Sequence, residues 1–270
     1  MSQPATYLDR ILAAHRAADA ADVRSVDELV AAAETAAPTR GWRAALVDSV
    51  ASGRLGVIAE VKRRSPSKGP LAPDLDPGEL ALSYLSGGAA ALSVLTDVEF
   101  FGGSVADLAA ARAAVPLPVL RKDFTVGERD VCDARLMGAD AVLLIAAALN
   151  DGELRRCADL ARHLELDVLV EVHDEPELER AIAAGADLIG VNQRDLVTFA
   201  VDTERAVRMA PLMPKGVVRV AESGVGGPGD ARLLADAGYH AVLVGESLVT
   251  SADPAAALDA LRVPVAPSEA

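Results

Sequence analysis

Four short apolar runs in this 270-residue chain end on charged residues that a buried strand does not favour. These residues are Glu60 and Lys62 in VIAEVK, Lys122 in PVLRK, Glu171 in VLVE and Glu222 in VRVAE. A charge at the end of a buried strand is costly unless it is paired or lies in a wet cavity. The four runs therefore predict one shared cavity at the carboxyl ends of parallel strands, where a β/α barrel places its active site.

The direction of these side chains follows from the alternation of residues along a strand. Glu60 and Lys62 are two residues apart and share the inward face, either as a structural ion pair or as an acid and a base for catalysis. Lys122 also faces inward, while its neighbour Arg121 points out toward the helices. An inward lysine is costly and changes its pKa readily, which suits general acid catalysis. Glu171 supplies an inward carboxylate from another strand.

Further polar groups follow other strands at the same predicted edge. Asn192 and Arg194 come after the sixth strand and add an amide and a cation. The loop 63–69, RRSPSKG, is long and basic, as expected of a mobile lid that binds an anion. The glycine-rich loops 221–230 and 244–248 follow the seventh and eighth strands, where barrels often bind phosphate through backbone N–H groups and a short helix. These features predict a small phosphorylated substrate.

An internal repeat predicts the fold class. Glycine, two small or polar residues and an apolar run recur at Gly88, Gly138, Gly185 and Gly238. Glycine commonly ends a helix, and a continuously apolar run is typical of a strand buried on both faces. The chain contains eight strand–loop–helix units, so we predict an α/β protein with a closed (β/α)8 TIM barrel. An open doubly wound sheet is the alternative, but no G-x-G-x-x-G follows the first strand.

The predicted boundaries follow from these repeats and from helix-capping patterns. The predicted strands are 57–62, 90–95, 117–122, 140–145, 167–172, 187–191, 217–222 and 240–244. The predicted helices are 77–87, 104–114, 128–137, 151–163, 175–184, 203–210, 229–237 and 254–262. Capping boxes are predicted at Ser25, Asp76, Thr125, Asn150 and Asp174.

The whole chain is predicted to form one TIM-barrel domain. Residues 1–50 should form extra helices packed against the amino-terminal or side face of the barrel. Residues 51–263 should form the barrel itself, and the tail from Pro264 to residue 270 is expected to fray.

The composition argues against several classes of function. A net charge of −14 and 3% aromatic residues do not suit a nucleic-acid-binding surface. No apolar run approaches the ~20 residues that span a bilayer, and no signal segment is evident, so a cytoplasmic protein is expected. Cys132 and Cys157 are expected to be buried thiols in helices. The four histidines are scattered and no pair has ligand spacing, so a metal is not expected, and His173 is interpreted as an ordinary loop residue.

Seven segments, taken together, resemble indole-3-glycerol phosphate synthase. They are IAEVKRRSPSKG (58–69), LSVLTDVEFFGGS (92–104), PVLRKDF (118–124), EVHDEPELERA (171–181), GVNQRDLVTFAVD (190–202), AESGV (221–225) and VGESL (244–248). The resemblance implies a carboxy-lyase of tryptophan biosynthesis that needs no cofactor or metal. Such an enzyme closes the indole ring of 1-(2-carboxyphenylamino)-1-deoxyribulose 5-phosphate and releases carbon dioxide and water. Gln193 and Val197 depart from the residues common in the family and are interpreted as tuning positions.

The resemblance also implies roles for the site residues. Lys122 would be the general acid of ring closure, and Glu171 would be a base or stabiliser. Lys62 and Glu60 would assist dehydration and anion binding, and the division of labour between the two lysines stays open. The remaining implied roles are Asn192 for a sugar hydroxyl, Ser223, Ser65 and Glu222 for the substrate site, Arg194 for the carboxylates, Gly224, Gly245 and Glu246 for the phosphate, and Phe101 and Phe124 for the anthranilate ring.

The sequence motifs leave two other functions open. Another phosphate-binding barrel, such as a phosphoribosylanthranilate-type isomerase, would be expected to use a different acid–base pair. A non-catalytic barrel would be favoured by the loss of a catalytic lysine, and neither lysine is lost. A monomer without nucleic-acid or membrane partners is expected, and association with other tryptophan-pathway enzymes is left open.

Overall fold

The computed structural model describes residues 6–66, 68–195 and 197–265, and the predictions for residues 1–5, Ser67, Leu196 and residues 266–270 lie outside them. Eight parallel strands close into a barrel in which each strand pairs with its neighbours in chain order, and a two-stranded hairpin stands apart. The strands are β1 (Gly56–Val61), β2 (Arg64–Ser65), β3 (Gly69–Pro70), β4 (Ala91–Leu95), β5 (Val119–Lys122), β6 (Ala141–Ile145), β7 (Asp167–Val172), β8 (Leu188–Asn192), β9 (Val218–Glu222) and β10 (Ala241–Val244). The predicted TIM barrel is confirmed, with β2 and β3 forming the hairpin.

Helices surround the barrel and precede it. They are α1 (Tyr7–Ala21), α2 (Val26–Glu34), α3 (Trp42–Ala51), α4 (Pro77–Ser86), α5 (Val105–Ala114), α6 (Glu128–Leu136), α7 (Asp151–His163), α8 (Glu175–Ala183), α9 (Arg205–Met209), α10 (Pro228–Asp236), α11 (Glu246–Val249) and α12 (Pro254–Leu261). Each predicted strand and helix lies within two residues of an observed one. The thiols of Cys132 in α6 and Cys157 in α7 are free and buried, as expected.

Side-chain caps begin several of the barrel helices, but among the predicted capping boxes only the one at Asn150 forms completely. Asp76, Asn150 and Asp174 each accept a hydrogen bond from the backbone N–H three residues later, and Glu153 alone returns the bond, to the Asn150 N–H. Ser25 lies at the N-cap of α2, but its side chain makes no capping bond. Thr125 does not cap α6, because the chain stays in the loop until Gly127, and the Asp130 carboxylate accepts the Val126 N–H instead.

The third helix closes the amino-terminal end of the barrel. The backbone N–H of Arg40 donates to Asp140 (2.7 Å), which lies just before β6, and that of Arg43 donates to Asp167 (2.8 Å), which begins β7. Trp42 is fully buried between them, and its indole N–H donates to the Leu92 carbonyl (3.1 Å). This part of the extension lies where the sequence places it.

The first helix lies at the opposite end, so the predicted amino-terminal or side position is wrong for α1. His15 Nε2 is 3.0 Å from Asp97 Oδ2 in the loop that leaves the carboxyl end of β4. The ring of Tyr7 packs edge-on against Phe100 of the same loop and against Phe199 of the loop after β8. Ring contacts and an ion pair to these loops hold α1 beside the mouth of the barrel.

The tail is also better held than predicted over its first residues. Pro264 forms an antiparallel bridge with Arg54, and the Val265 N–H donates to the Gly53 carbonyl (3.1 Å). The chain before β1 and the chain after α12 therefore stabilise one another.

We expect Trp42→Ala to lower the free energy of unfolding by about 3–5 kcal/mol, because it leaves a cavity under the barrel and an unpaired carbonyl. Leu212→Ala is the matched control: that side chain is half exposed, so its loss should cost less than about 0.5 kcal/mol. Urea unfolding followed by circular dichroism measures both, and equal losses would contradict the role of α3.

Candidate active site

A cavity of about 430 Å³ opens at the carboxyl ends of the barrel strands. Every candidate residue from the sequence lines it: Glu60, Lys62, Ser65, Phe101, Lys122, Phe124, Glu171, Asn192, Arg194, Glu222, Ser223, Gly224, Gly245 and Glu246. The predicted shared cavity therefore exists; the candidate residues come from seven of the eight barrel segments, and Leu143 and Ile145 of β6 complete the lining.

Lys122 lies at the centre of the cavity between two carboxylates. Its Nζ is 2.5 Å from Glu222 Oε2 on β9 and 3.2 Å from Glu171 Oε2 on β7. Both glutamates are almost completely buried, and the lysine is only slightly exposed. Arg121 turns the other way, as predicted, and donates to the Asp130 carbonyl of α6. Strand alternation therefore places the ammonium among acids that belong to distant strands.

An amide and a hydroxyl continue this network along β8 and β9. Asn192 Nδ2 donates to Glu171 Oε1 (3.0 Å), and its Oδ1 accepts from the Ser223 hydroxyl (2.9 Å) and from the Arg194 backbone N–H (3.0 Å). Ser223 has a positive φ of 67°, a conformation that costs a residue other than glycine about 1–2 kcal/mol. Residues in such conformations cluster at active sites, and in this one the Ser223 hydroxyl points at Asn192.

A second ion pair lies beside the first. Lys62 Nζ is 2.6 Å from Glu60 Oε1, and both side chains face the cavity. Gly245, after β10, leaves the room for them, since a Cβ there would lie 2.5 Å from Glu60 Oε1 and 3.1 Å from Lys62 Nζ. The ammonium of Lys62 therefore borders the backbone of the predicted phosphate loop.

Two loops and the hairpin form one end of the cavity. Gly224 follows Ser223 with a φ of 75°, and the Ser247 hydroxyl donates to the Val225 carbonyl (3.1 Å), which joins the loops after β9 and β10. The Glu246 carboxylate accepts a hydrogen bond from Lys68 of the hairpin. The basic first loop thus reaches across the mouth to the predicted phosphate end.

The other end of the cavity is apolar. The rings of Phe101 and Phe124 lie 6.1 Å apart between centroids, and Phe124 also lies 5.7 Å from the His15 ring of α1. Leu95 and Ile145 line the same cavity. This end offers a flat, apolar surface, as an aromatic ring requires.

The three central charges have shifted pKa values. Burial lowers the pKa of Lys122, but Glu222, Glu171 and Glu60 outweigh burial and raise it well above its ordinary value. Burial raises the pKa of Glu171, yet Lys122, His173 and Asn192 together bring it well below its ordinary value. Burial and the neighbouring carboxylates raise the pKa of Glu222 to about 7, against the pull of Lys122. The lysine is therefore a stable cation beside one ionised and one protonatable carboxyl group.

The sequence did not predict three of the contacts in and beside the cavity. Some of them join residues that are far apart in the chain, and others involve a histidine or a glutamine that no motif marks as functional. His173, interpreted as a loop residue, lies 3.3 Å from Glu171 Oε1. Gln193, a departure from the family pattern, is buried and donates to the Ser223 carbonyl (2.8 Å). His15 also lies in a cluster that the wide spacing of the histidines in the sequence does not indicate. Potential ligand atoms of His15, Asp97 and Asp123 lie within 4.8 Å of one another.

The His15 cluster is built from hydrogen bonds within the chain. Asp97 Oδ1 accepts from the backbone N–H groups of Phe100 (2.6 Å) and Phe101 (3.0 Å). Asp123 Oδ2 accepts from Arg121 (3.1 Å), and its Oδ1 accepts from the Phe124 N–H (2.9 Å). These bonds hold both loops that carry the apolar wall.

Comparison with known proteins identifies the family. The family model described as indole-3-glycerol phosphate synthase matches residues 8–261. The chain belongs to the indole-3-glycerol phosphate synthase family. It is 60% identical over 202 residues to the indole-3-glycerol phosphate synthase of Nocardioides sp. (strain ATCC BAA-499 / JS614), covering 75% of this chain and 78% of the relative. It is 51% identical over 257 residues to that of Mycobacterium avium (strain 104), covering 94% and 93%.

Indole-3-glycerol phosphate synthase is a decarboxylating carbon–carbon lyase of tryptophan biosynthesis that acts on a phosphorylated small molecule, so the enzyme class predicted from the sequence is confirmed. Family membership favours this activity over the isomerase and the non-catalytic barrel. Within the described part of the chain, no helix is long and apolar enough to cross a membrane.

Solved structures support the barrel fold independently. Thiamine phosphate pyrophosphorylase from Pyrococcus furiosus superposes with a TM-score of 0.58 at 19% identity, covering 77% of this chain and 93% of that one. The N-acetylmannosamine-6-phosphate 2-epimerase from Clostridium perfringens gives 0.57 at 16% identity, covering 71% and 86%. At these identities the likeness extends to the fold alone.

We expect Gly190→Ala to lower kcat about a hundredfold without unfolding the protein. Its Cβ would lie 2.2 Å from Glu222 Oε1, so the carboxylate must shift from the position in which its Oε2 meets Lys122, and small misplacements at a catalytic centre have effects of this size. Gly229→Ala is the control, because nothing lies within 4 Å of a Cβ there. Steady-state kinetics measures both; a kcat for Gly190→Ala within about twofold of the unchanged enzyme would contradict the packing argument.

Proposed function

We propose that the cavity converts 1-(2-carboxyphenylamino)-1-deoxyribulose 5-phosphate to indole-3-glycerol phosphate, with Lys122 as the general acid of ring closure. One observation carries this proposal: an ammonium that stays protonated is held between Glu171 and Glu222 at the centre of a cavity with one apolar and one glycine-rich end. The substrate has the same order of parts, an aromatic ring, a carbonyl and a phosphate. This order supports a single bound orientation.

In ring closure, the aryl carbon that bears the carboxylate attacks the ribulose carbonyl carbon, whose oxygen gains negative charge. An acid within reach of that oxygen lowers the barrier by taking part in proton transfer. The raised pKa of Lys122 suits the acceptor, because an alkoxide is a stronger base than an amine. Glu171 remains ionised, so it stabilises the positive charge that develops on the substrate nitrogen as this becomes an iminium, or accepts the N–H proton.

Loss of carbon dioxide restores the aromatic ring, and loss of water then completes the indole. The departing hydroxyl needs a proton, and a C–H or N–H proton must reach a base. Glu60 and Lys62 form the second acid–base pair within the same cavity. The Glu222 carboxyl, whose pKa is raised to about 7 by burial and by the neighbouring carboxylates, exchanges a proton readily near neutral pH beside Lys122.

Binding uses the two ends of the cavity. Phe101 and Phe124 contact the anthranilate ring, and Arg194 orients its carboxylate. Backbone N–H groups of Gly224, Gly245 and Glu246 bind the phosphate, with Lys62 and Ser65 beside them. Asn192 and Ser223 hold a sugar hydroxyl through the network that already fixes their side chains.

We further propose that the enzyme works in the cytoplasm as a monomer. In the described part of the chain, the most exposed large apolar side chains, Val23 and Val98, lie in separate loops, and the exposed leucines that share one helix face are the pair Leu82 and Leu85 of α4. The net charge of −14 also favours dispersal of copies. Light scattering on the purified protein measures the mass.

The direct assay mixes purified protein with the anthranilate–ribulose phosphate substrate and follows indole fluorescence together with released carbon dioxide. We expect both products to appear in equal amounts. Fluorescence without carbon dioxide, or neither product, would contradict the proposed reaction.

We expect Lys122→Met to lower kcat by at least about 10²–10⁴-fold, the range that a general acid contributes, while the fold stays intact. Methionine keeps the length of the side chain but donates no proton. Lys215→Met is the control, because Lys215 is exposed. Near-normal turnover by Lys122→Met would exclude Lys122 as the acid.

We expect Lys62→Ala to raise KM about tenfold, which corresponds to roughly 1.4 kcal/mol of binding, and to slow the later steps of the reaction. The cause is the loss of the ammonium that borders Gly245. Inhibition by inorganic phosphate should weaken in parallel. An unchanged KM and an unchanged rate would count against a role for Lys62.

A further inference from the structure

His173 lies one residue past the end of β7, and its ring is held between two carboxylates. Its Nε2 is 3.3 Å from Glu171 Oε1, and its Nδ1 is 3.0 Å from Glu177 Oε2 in α8. The backbone N–H of His173 donates to the same Glu177 oxygen (2.8 Å). The side chain is only 12% exposed, so the ring has little freedom to turn away.

This arrangement indicates an imidazolium. A neutral imidazole has one N–H and one lone pair, so it would direct a lone pair at one of the two carboxylates. An imidazolium carries an N–H on both nitrogens: Nδ1 donates to Glu177, and Nε2, which lies outside hydrogen-bonding geometry, faces Glu171 as an ion pair. Burial lowers the pKa of His173, but Glu171 and Glu177 outweigh burial and raise it to about 10.

The cation distinguishes the two glutamates that flank Lys122. Glu171 receives Lys122 on Oε2, and on Oε1 it meets both Asn192 and His173. Glu222 receives Lys122 on Oε2, while its buried Oε1 has no hydrogen-bond partner among the described residues. One carboxylate therefore has two cations and an amide, and the other has one cation. Their opposite pKa shifts follow from this difference.

We propose that His173 is a positioning residue whose charge, held by Glu177, keeps the Glu171 carboxylate ionised and aimed at Lys122, so that Glu222 is the carboxyl group of the trio that gains and loses a proton. This inference rests on the proposed function, in which Glu171 acts as an ionised base or stabiliser. His173 does not line the cavity and acts through Glu171.

The charged groups that bear on this prediction come from each neighbouring element. In the described chain, Glu171 of β7 and Glu177 of α8 contact the ring, and Lys122 of β5 faces it across Glu171. Loss of the imidazolium removes a cation from Glu171, so the pKa of Glu171 rises. Because the reaction needs that carboxylate ionised, the acid limb of the pH–rate profile moves to higher pH.

The test variant is His173→Gln, which keeps an amide donor but removes the charge. We expect kcat/KM to fall about tenfold near the acid limb and the limb to move up by about one pH unit, since one unit corresponds to tenfold in ionisation. At alkaline pH the variant should approach the unchanged enzyme. His163→Gln is the matched control, because His163 also pairs with a carboxylate, Glu34 (2.8 Å), but is exposed. Its profile should not move.

A merely structural role would lower activity equally at all pH values, so an acid limb that stays in place would overturn the proposal. Glu177→Gln is the second variant, in case His173→Gln does not fold. This variant keeps the imidazole but removes the Glu177 carboxylate charge that stabilises the imidazolium. It should move the acid limb of the pH–rate profile in the same direction by a smaller amount. An unshifted limb in Glu177→Gln would also count against the proposal.

A measurement on the unaltered protein separates this proposal from the proposed reaction. Nuclear magnetic resonance of the histidine rings reports their protonation, and His173→Gln assigns the resonance. We expect His173 to remain an imidazolium through neutral pH. A neutral His173 at pH 7 would overturn the inference even in an active enzyme, whereas a protonated His173 in a protein without turnover would contradict the reaction and not the imidazolium.

Discussion

The structure depends on the burial of one ammonium group at the mouth of a barrel. Removing Lys122 from water is costly, and the cost is offset only if opposite charges and hydrogen bonds surround it with good geometry. Glu171 and Glu222 supply those charges from β7 and β9, which are two and four strands away from β5 around the barrel. The same arrangement that stabilises the buried cation provides groups that can exchange protons with a substrate, so fold and chemistry share one requirement.

Space for these charges is as necessary as the charges themselves. Gly190 and Gly245 carry no side chain at the points where Glu222 and Glu60 turn inward, and a Cβ at either position would meet a carboxylate oxygen. Ser223 adopts a left-handed backbone conformation, and its hydroxyl points at Asn192. The site therefore depends on glycines as well as on its polar residues. Each glycine leaves the space that a long ionised side chain from a neighbouring strand occupies.

The two ends of the cavity are assembled from different parts of the chain. The aromatic end belongs to the loops after β4 and β5, which Asp97 and Asp123 hold to His15 of α1. The glycine-rich end belongs to the loops after β9 and β10, which the hairpin meets through Lys68 and Glu246. The central lysine lies between them. In the proposed reaction, this separation would place the ring and the phosphate of one substrate at opposite walls, with its carbonyl over Lys122.

The sequence by itself determined the barrel and the inward direction of its charges, because a strand period of two, capped helices and glycine stops are local properties. These local properties were enough to predict that the side chains of Lys122, Glu171 and Glu222 lie together at the carboxyl ends of the barrel strands. The tertiary structure alone decided that Lys122 pairs with Glu171 and Glu222, 49 and 100 residues away. It also decided that His173 meets Glu171 and that α1 reaches the mouth of the barrel. Strand periodicity sets only the face and the end of each side chain, whereas barrel closure, strand register and loop packing set which side chains come within hydrogen-bonding distance.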